Sequence, residues 1–336
     1  MSAAAEGSGA GATVPLRRRG RITPRVIAER WSLVLASVAA FAFFSAARPS
    51  TFLTLDNARA ILDDSSVLCV LAVGITAILV IGEFDLSIGF VAGLAGAAGV
   101  SAMAFHDLGT GAAVAIAIGA GAVAGLASGL AVAYVRIPSF VATLAVGSIA
   151  AAIELAVTKT AIFEGLSPSY VQIATTRIAT IPLRAIIAAG VAILFLVLLR
   201  ATVYGRHAMS VGDNVAAARF AGVPVERIRV TAFVLAGLTA GLAAVLVTSS
   251  AGQYYPNLGT GYLLPAYAAA FLGASLGGGL HFNVLGSYLG VLLLDMVSTG
   301  LTMMNQPSWV AALVQGIVLL VAVAGIAIRR GGAIGR

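Results

Sequence analysis

Apolar runs of roughly twenty residues follow one another from Trp31 to near the C-terminal end, separated by short polar breaks. A run of that length crosses the hydrocarbon of a bilayer as a helix, and lipid leaves no partner for a polar backbone in any other form. Charged residues make up only 10% of the chain and hydrophobic ones 60%, whereas a soluble domain carries about 25% charged residues. The runs are rich in Gly and Ala, which let helix backbones approach where no hydrophobic force drives pairing. The chain therefore reads as an all-α, polytopic helical membrane protein. Its candidate spans are 31–47, 58–82, 87–105, 111–135, 139–158, 183–200, 230–250, 264–280, 284–304 and 309–328, a count of about ten on hydropathy. The weakest are 83–90 and 264–280, which read equally as broken or re-entrant helices, tolerated only when buried in protein.

Charge sets the orientation. With ten spans and an inside N-terminus, the arginines of 17–30, 200–229 and 329–336 together with Arg136 fall inside, fifteen basic residues in all. Only Arg48, Arg59, Lys159, Arg177 and Arg184 fall outside. This bias makes both termini cytoplasmic. Residues 1–30 form a basic, Ala/Gly/Ser-rich cytoplasmic N-terminus, disordered over its first part, and 31–329 the transmembrane domain. The first span follows a charged start but no convincing cleavage site, so it is expected to stay uncleaved. The net charge of +7 sits beside span ends rather than along one face, which argues against nucleic acid. Cys69 lies alone in an apolar run and reads as a small buried side chain.

Between the sixth and seventh spans the apolar pattern breaks over 203–229 with YGRHAMSVGDNVAAARFAGVPVERIR. Asp213 and Asn214 form a helix-start signal, AAAR follows, and Gly222 and Pro224 supply a stop. A short amphipathic helix on the basic side of a bilayer reads as a docking piece for a cytoplasmic partner. The longest outer segment, 159–182, contains Glu164, Pro168, Tyr170, Gln172 and Arg177; it reads as a cover over the outer mouth or as a plain surface loop.

Enzymatic motifs are missing. The only lysine, Lys159, follows ELAVT, so there is no GxxxxGK[ST] phosphate loop and no route to ATP hydrolysis through one. No HExxH, paired cysteines or Ser/His/Asp set appears, and no metal site is expected. Two polar features stand out instead. GEFDLSIG at 82–89 sets Glu83 and Asp85 at the edge of hydrocarbon, where carboxylates need partners; Asp85 is placed to cap the next helix, or to take part in gating with Gly82, Ser87 and Gly89. In GVLLLDMVSTGL, Asp295 lies near mid-membrane, where insertion costs about 2.5–3.5 kcal/mol. Asp295, Ser298, Thr299 and Thr302 recur at i, i+3, i+4 and i+7 and share one helix face, suited to lining a polar path or to hydrogen bonding between helices. Phe140 and Thr143 are further lining candidates.

Four segments in order carry a resemblance: GEFDLSIG, AYVRIPSFVATLAVGS at 133–148, the 203–229 segment, and YYPNLGTGYLLPAYAAAFLGASLGGG at 254–279. Together they resemble the permease subunit of bacterial ABC importers for monosaccharides, of the ribose/xylose/galactose type, over about 30–330. The resemblance implies a pair of permeases, identical or related, in the bacterial cytoplasmic membrane. It implies a cytoplasmic ATPase docked on the segment from Gly205 to Gly222, and a sugar-binding protein outside. ATP and magnesium would be bound by that ATPase, leaving this chain without a cofactor. The coupling residues it implies are Gly205, Arg206, Gly212, Asp213, Asn214, Ala217, Arg219, Gly222 and Pro224. The chain departs from the family at Glu83-Phe84 and at Leu263-Leu264-Pro265, and from ribose-type members at Ser298-Thr299; these changes weigh against ribose itself and leave the transport reading intact. The alternative is an ion-gradient-driven secondary transporter using Glu83, Asp85 or Asp295 as its ion site.

Overall fold

A computed structural model of the chain describes residues 24–334 apart from 275 and 277–280, with side chains over 31–325. The expected disordered stretch, residues 1–13, and the basic residues Arg17, Arg18, Arg19 and Arg21 lie outside the described residues. Helix α1 (Pro24–Ala47) begins seven residues ahead of the expected first span, and the short α2 (Pro49–Phe52) follows it. Next come α3 (Leu55–Val80), α4 (Ile88–His106), α5 (Thr110–Ala133) and α6 (Ser139–Thr158). A small cap is built from β1 (Phe163–Glu164), α7 (Pro168–Thr175), β2 (Arg177–Ile178) and β3 (Ile181–Pro182). Then follow α8 (Leu183–Ala201), α9 (Val203–Asp213), α10 (Val215–Phe220), α11 (Val225–Ala251) and β4 (Gln253–Tyr254). A 3-10 turn (Thr260–Tyr262), α12 (Leu263–Gly273), α13 (Val284–Met303) and α14 (Ser308–Ile334) complete the described chain. The described residues are 80% helical, and the strands among them are two-residue pairs, β1 with β4 and β2 with β3.

A helix stands at each of the ten expected apolar runs. Eight of the described helices are long and apolar enough to cross a membrane, and the apolar part of α1, Trp31–Ala47, is shorter. The clearest departure is 264–280. Its helix, α12, has 11 residues and so spans about 16 Å, half of the hydrocarbon thickness. Pro265 in its first turn is tolerated there, and the run LLPAYAAAFLG is too short to cross alone.

Helix α3 is the centre of the bundle, with every residue from Ser65 to Leu79 buried. The glycines set how closely its neighbours stack. Gly121 meets the backbone of Gly237 and Gly241, and Gly125 that of Phe233 and Gly237, so α5 and α11 run nearly backbone to backbone. Gly273 and Gly286 join α12 to α13 in the same way. Dispersion contacts of this kind replace the hydrophobic force that lipid removes.

The bundle has two unlike ends. At one, β1 and β4 tie the exit of α6 to the exit of α11, and α7 packs down with Tyr170 enclosed and its hydroxyl 2.7 Å from Thr248 Oγ1. Burial pushes the Tyr170 phenol up to about 12, so it stays neutral. Within 159–182 Tyr170 and Pro182 are buried, and the remaining residues are half-buried or exposed. At the opposite, arginine-rich end lie α9 and α10, with Arg136, Arg219 and Arg229.

Candidate functional site

Two breaks in the helical pattern meet inside the bundle. The first follows α3: residues 81–87 are not helical and run inward along the first turns of α6. Phe84 N–H donates to Ser139 Oγ at 3.1 Å and Leu86 N–H to Thr143 Oγ1 at 3.0 Å. Ser87 and Phe90 then reach Gly147, eight residues or about 12 Å along α6 from Ser139. Helix α4 therefore starts inside the bundle, beside the middle of α6. The second break follows α11, where residues 252–262 return from the strand end without forming an α-helix before α12 begins.

These non-helical stretches need hydrogen-bond partners that lipid does not offer, and side chains provide them. Asp85 N–H donates to the Tyr267 hydroxyl at 2.8 Å, and that hydroxyl donates to Asp85 O at 3.0 Å. The buried Asp85 carboxylate accepts from Ser87 N–H at 2.8 Å and Ser87 Oγ at 2.5 Å. Asp85 stands three residues ahead of α4, and the cap position expected of it is taken by Ser87, which it holds. Gly89 faces Gly259: a Cβ on Gly89 would lie 2.9 Å from Gly259 O, and one on Gly259 would strike Gly89 O. The rings of Phe84, Tyr267 and Phe271 stack in sequence beside the junction.

The second stretch is held by Glu154, a residue the sequence reading passed over. It is fully enclosed on α6 and accepts from Tyr254 Oη at 2.7 Å and Asn257 N–H at 2.8 Å. Its signal was the one that marked Asp295, a carboxylate inside an apolar run, AAAIELAVT. Gly93 opposite leaves room for it, because a Cβ there would come within 2.6 Å of Glu154 Oε2.

At the arginine-rich end the expected single short helix is two. Thr202 caps α9 by accepting from Gly205 N–H, and Ala208 and Val211 pack inward. Gly205 rests on the Leu199 backbone and Gly212 on Val80 O, which seats α9 across the ends of α8 and α3. Asn214 then caps α10, accepting from Ala217 N–H at 3.0 Å. Gly222, at φ +80°, ends that unit in the left-handed region open to glycine. Pro224 is not part of the stop; it is the N-cap residue of α11, so Arg227 and Arg229 belong to a long helix rather than to a loop. Arg219 Nη2 pairs with Glu226 Oε1 at 2.5 Å and Arg229 Nη2 with Glu83 Oε1 at 2.8 Å. Arg206 and Asp213 are exposed, and Phe220 projects from α10 with 94% of its surface exposed.

The polar stripe of α13 is partly covered. Asp295, Ser298 and Thr299 are half-buried and Thr302 is exposed, with Thr302 Oγ1 donating to Ser298 O at 3.0 Å. Asp295 Oδ2 is enclosed without a hydrogen-bond partner. Asp64 of α3 and Tyr262 lie within electrostatic range of it, and next to them Arg184 holds Asp63 through two hydrogen bonds, at 2.9 and 2.5 Å. Phe140 is exposed on α6. Thr143 does not line an open path: it is fully enclosed and anchors Leu86. Glu83 pairs with Arg229, and Asp85 Oδ1 accepts from Ser87.

Residues 57–323 match the family described as branched-chain amino acid transport system / permease component. The chain belongs to this permease family. Among its relatives is the ribose import permease protein RbsC of Bacillus subtilis (strain 168), 35% identical over 143 residues, 43% of this chain and 44% of the relative. The L-arabinose ABC transporter permease protein AraH of Azospirillum brasilense is 39% identical over 132 residues, 39% of either chain. The autoinducer 2 import system permease protein LsrC of Enterobacter sp. (strain 638) is 40% identical over 137 residues, 39% of this chain and 40% of the relative. The matched regions thus span less than half the length of each relative. A multi-pass membrane permease component is what the family and the bundle describe together.

Proposed function

We propose that the chain is the permease subunit of a binding-protein-dependent ABC importer, and that it carries a monosaccharide or a related small polar solute. The observation that carries the reading is α10: a capped, six-residue helix between two spans, with Phe220 bare and its stop set by Gly222. A cytoplasmic ATPase seats on α9 and α10, and its closure on ATP, with magnesium, pushes the pair against the ends of α3 and α8. The α4–α12 junction is the fixed frame against which those ends move. The chain makes ten passes, eight by long helices, one by α1 and one by the extended-then-helical stretch 252–273. Both termini share the cytoplasmic side with α10, in keeping with the positive-inside count. A second permease copy completes the path, and a sugar-binding protein docks at the strand end in the extracytoplasmic space of a bacterium.

The relatives bear the names of ribose, arabinose and autoinducer-2 importers, which supports a polyhydroxyl solute, and the half-buried Asp295 of α13 is the carboxylate proposed to meet its hydroxyls once the path opens. The test is reconstitution of the chain with its ATPase and binding protein in liposomes, followed by uptake of labelled pentoses. ATP-dependent uptake that falls at least about tenfold in Asp295→Asn, with unchanged thermal stability, is expected if the carboxylate meets solute. Uptake driven by an ion gradient without ATP would overturn the importer reading.

A further inference from the structure

A cavity of about 380 Å³ opens at the arginine-rich end, with Glu83, Arg136, Ser139, Arg219 and Arg229 among its lining residues. Three guanidinium groups converge on it from three parts of the fold: Arg136 from the α5–α6 turn, Arg219 from α10 and Arg229 from α11. Their local compensation is incomplete. Glu83 pairs with Arg229 and Glu226 with Arg219, while Arg136 has no ion pair among the described residues and stands at φ +64°. Arg229 Nε is enclosed without a hydrogen-bond partner. The start of α6 borders the same space, and no side chain caps its first turn. A hollow with net positive charge, a helix start and fork-shaped donors from three parts of the fold fits an oxyanion, and donors arriving from separate directions suit the several oxygens of a tetrahedral phosphate better than the two of a planar carboxylate.

We propose that this cavity is a binding site for a phosphate group, from an anionic phospholipid headgroup or from a soluble phosphorylated compound. Occupancy would join α10 to the α5–α6 turn, and through Arg229 and Glu83 to the broken segment after α3, so the site would set how freely α10 moves. The inference rests on the cavity alone and stands whatever solute the permease carries.

Two arms separate the sources. In the first, the purified full chain is titrated with inorganic phosphate against chloride at equal ionic strength, and thermal unfolding is followed. In the second, the chain is extracted from vesicles of phosphatidylcholine containing phosphatidylglycerol, and retained lipid is counted by native mass spectrometry. Saturable stabilisation by phosphate identifies a soluble ligand, and selective retention of phosphatidylglycerol identifies a lipid; either supports the site. Arg136→Gln, exposed and unpaired, should fold normally and weaken the effect about tenfold or more, while Arg177→Gln at the strand end leaves it unchanged. No saturable response in either arm, or an equal response in wild type and Arg136→Gln, overturns the proposal. So does loss of ATPase co-purification in Arg136→Gln with both anion responses intact, which would assign the arginines to partner carboxylates.

Discussion

The junction between the two broken segments and the α9–α10 pair are both departures from continuous helix, yet they handle unpaired backbone in opposite ways. At the junction, Ser139, Thr143, Glu154 and Tyr267 reach across from other helices to satisfy one or two backbone groups each, and glycine faces glycine with no space left over. In the α9–α10 pair the caps are local, Thr202 to Gly205 and Asn214 to Ala217, and water can serve the rest. The difference follows from the solvent. Inside a bilayer an unsatisfied amide costs several kcal/mol, by about the amounts found for burial without a partner; at the surface it costs little. Changes at the junction should therefore be read in stability, and changes on α10 in partner binding.

The largest effect is expected for Gly259→Val. Its side chain meets the Gly89 carbonyl and the start of α4, a clash worth about 3 kcal/mol or more, and detergent-solubilised protein should unfold at a clearly lower temperature. Tyr267→Phe removes the hydroxyl that serves both Asp85 N–H and Asp85 O. It should cost about 1–3 kcal/mol, since buried groups are left unpaired, and should raise hydrogen exchange at Asp85 above that at Leu79 within α3. Unchanged exchange at Asp85 would mean the hydroxyl is not the partner. Asn214→Ala removes a cap at the surface, about 1 kcal/mol of local helix stability, with exchange rising over Val215–Phe220 and the unfolding temperature of the bundle nearly unmoved. The smallest stability effect belongs to Phe220→Asp, within about 0.5 kcal/mol for an exposed side chain. Its effect on ATPase binding should be the greatest of the four.

The long helices were legible because lipid forces an unmistakable signal, a score of apolar residues without a break. The Asn214 cap and the Gly222 stop were equally plain, since their hydrogen bonds close within three or four residues. The junction was only half visible. GEFDLSIG announced a break, but its partners lie between 55 and 182 positions away, at Ser139, Thr143 and Tyr267, and no local pattern links them. The same distance misled the reading of Thr143, whose hydroxyl suggested a polar path and in fact holds Leu86. Glu154 was missed although its composition signal matched that of Asp295. The helix of α9 was hidden because Gly205 and Gly212 lower local propensity, while their close seats on Leu199 and Val80 make glycine necessary there.

The most direct test is affinity purification of the tagged chain, co-expressed with its ATPase, in parallel with Phe220→Asp and Gly259→Val. The account predicts that wild type brings down the ATPase, that Phe220→Asp is folded and recovered in equal amount without it, and that Gly259→Val is poorly recovered. Full retention of the ATPase by a folded Phe220→Asp variant would contradict the claim that α10 is the docking surface.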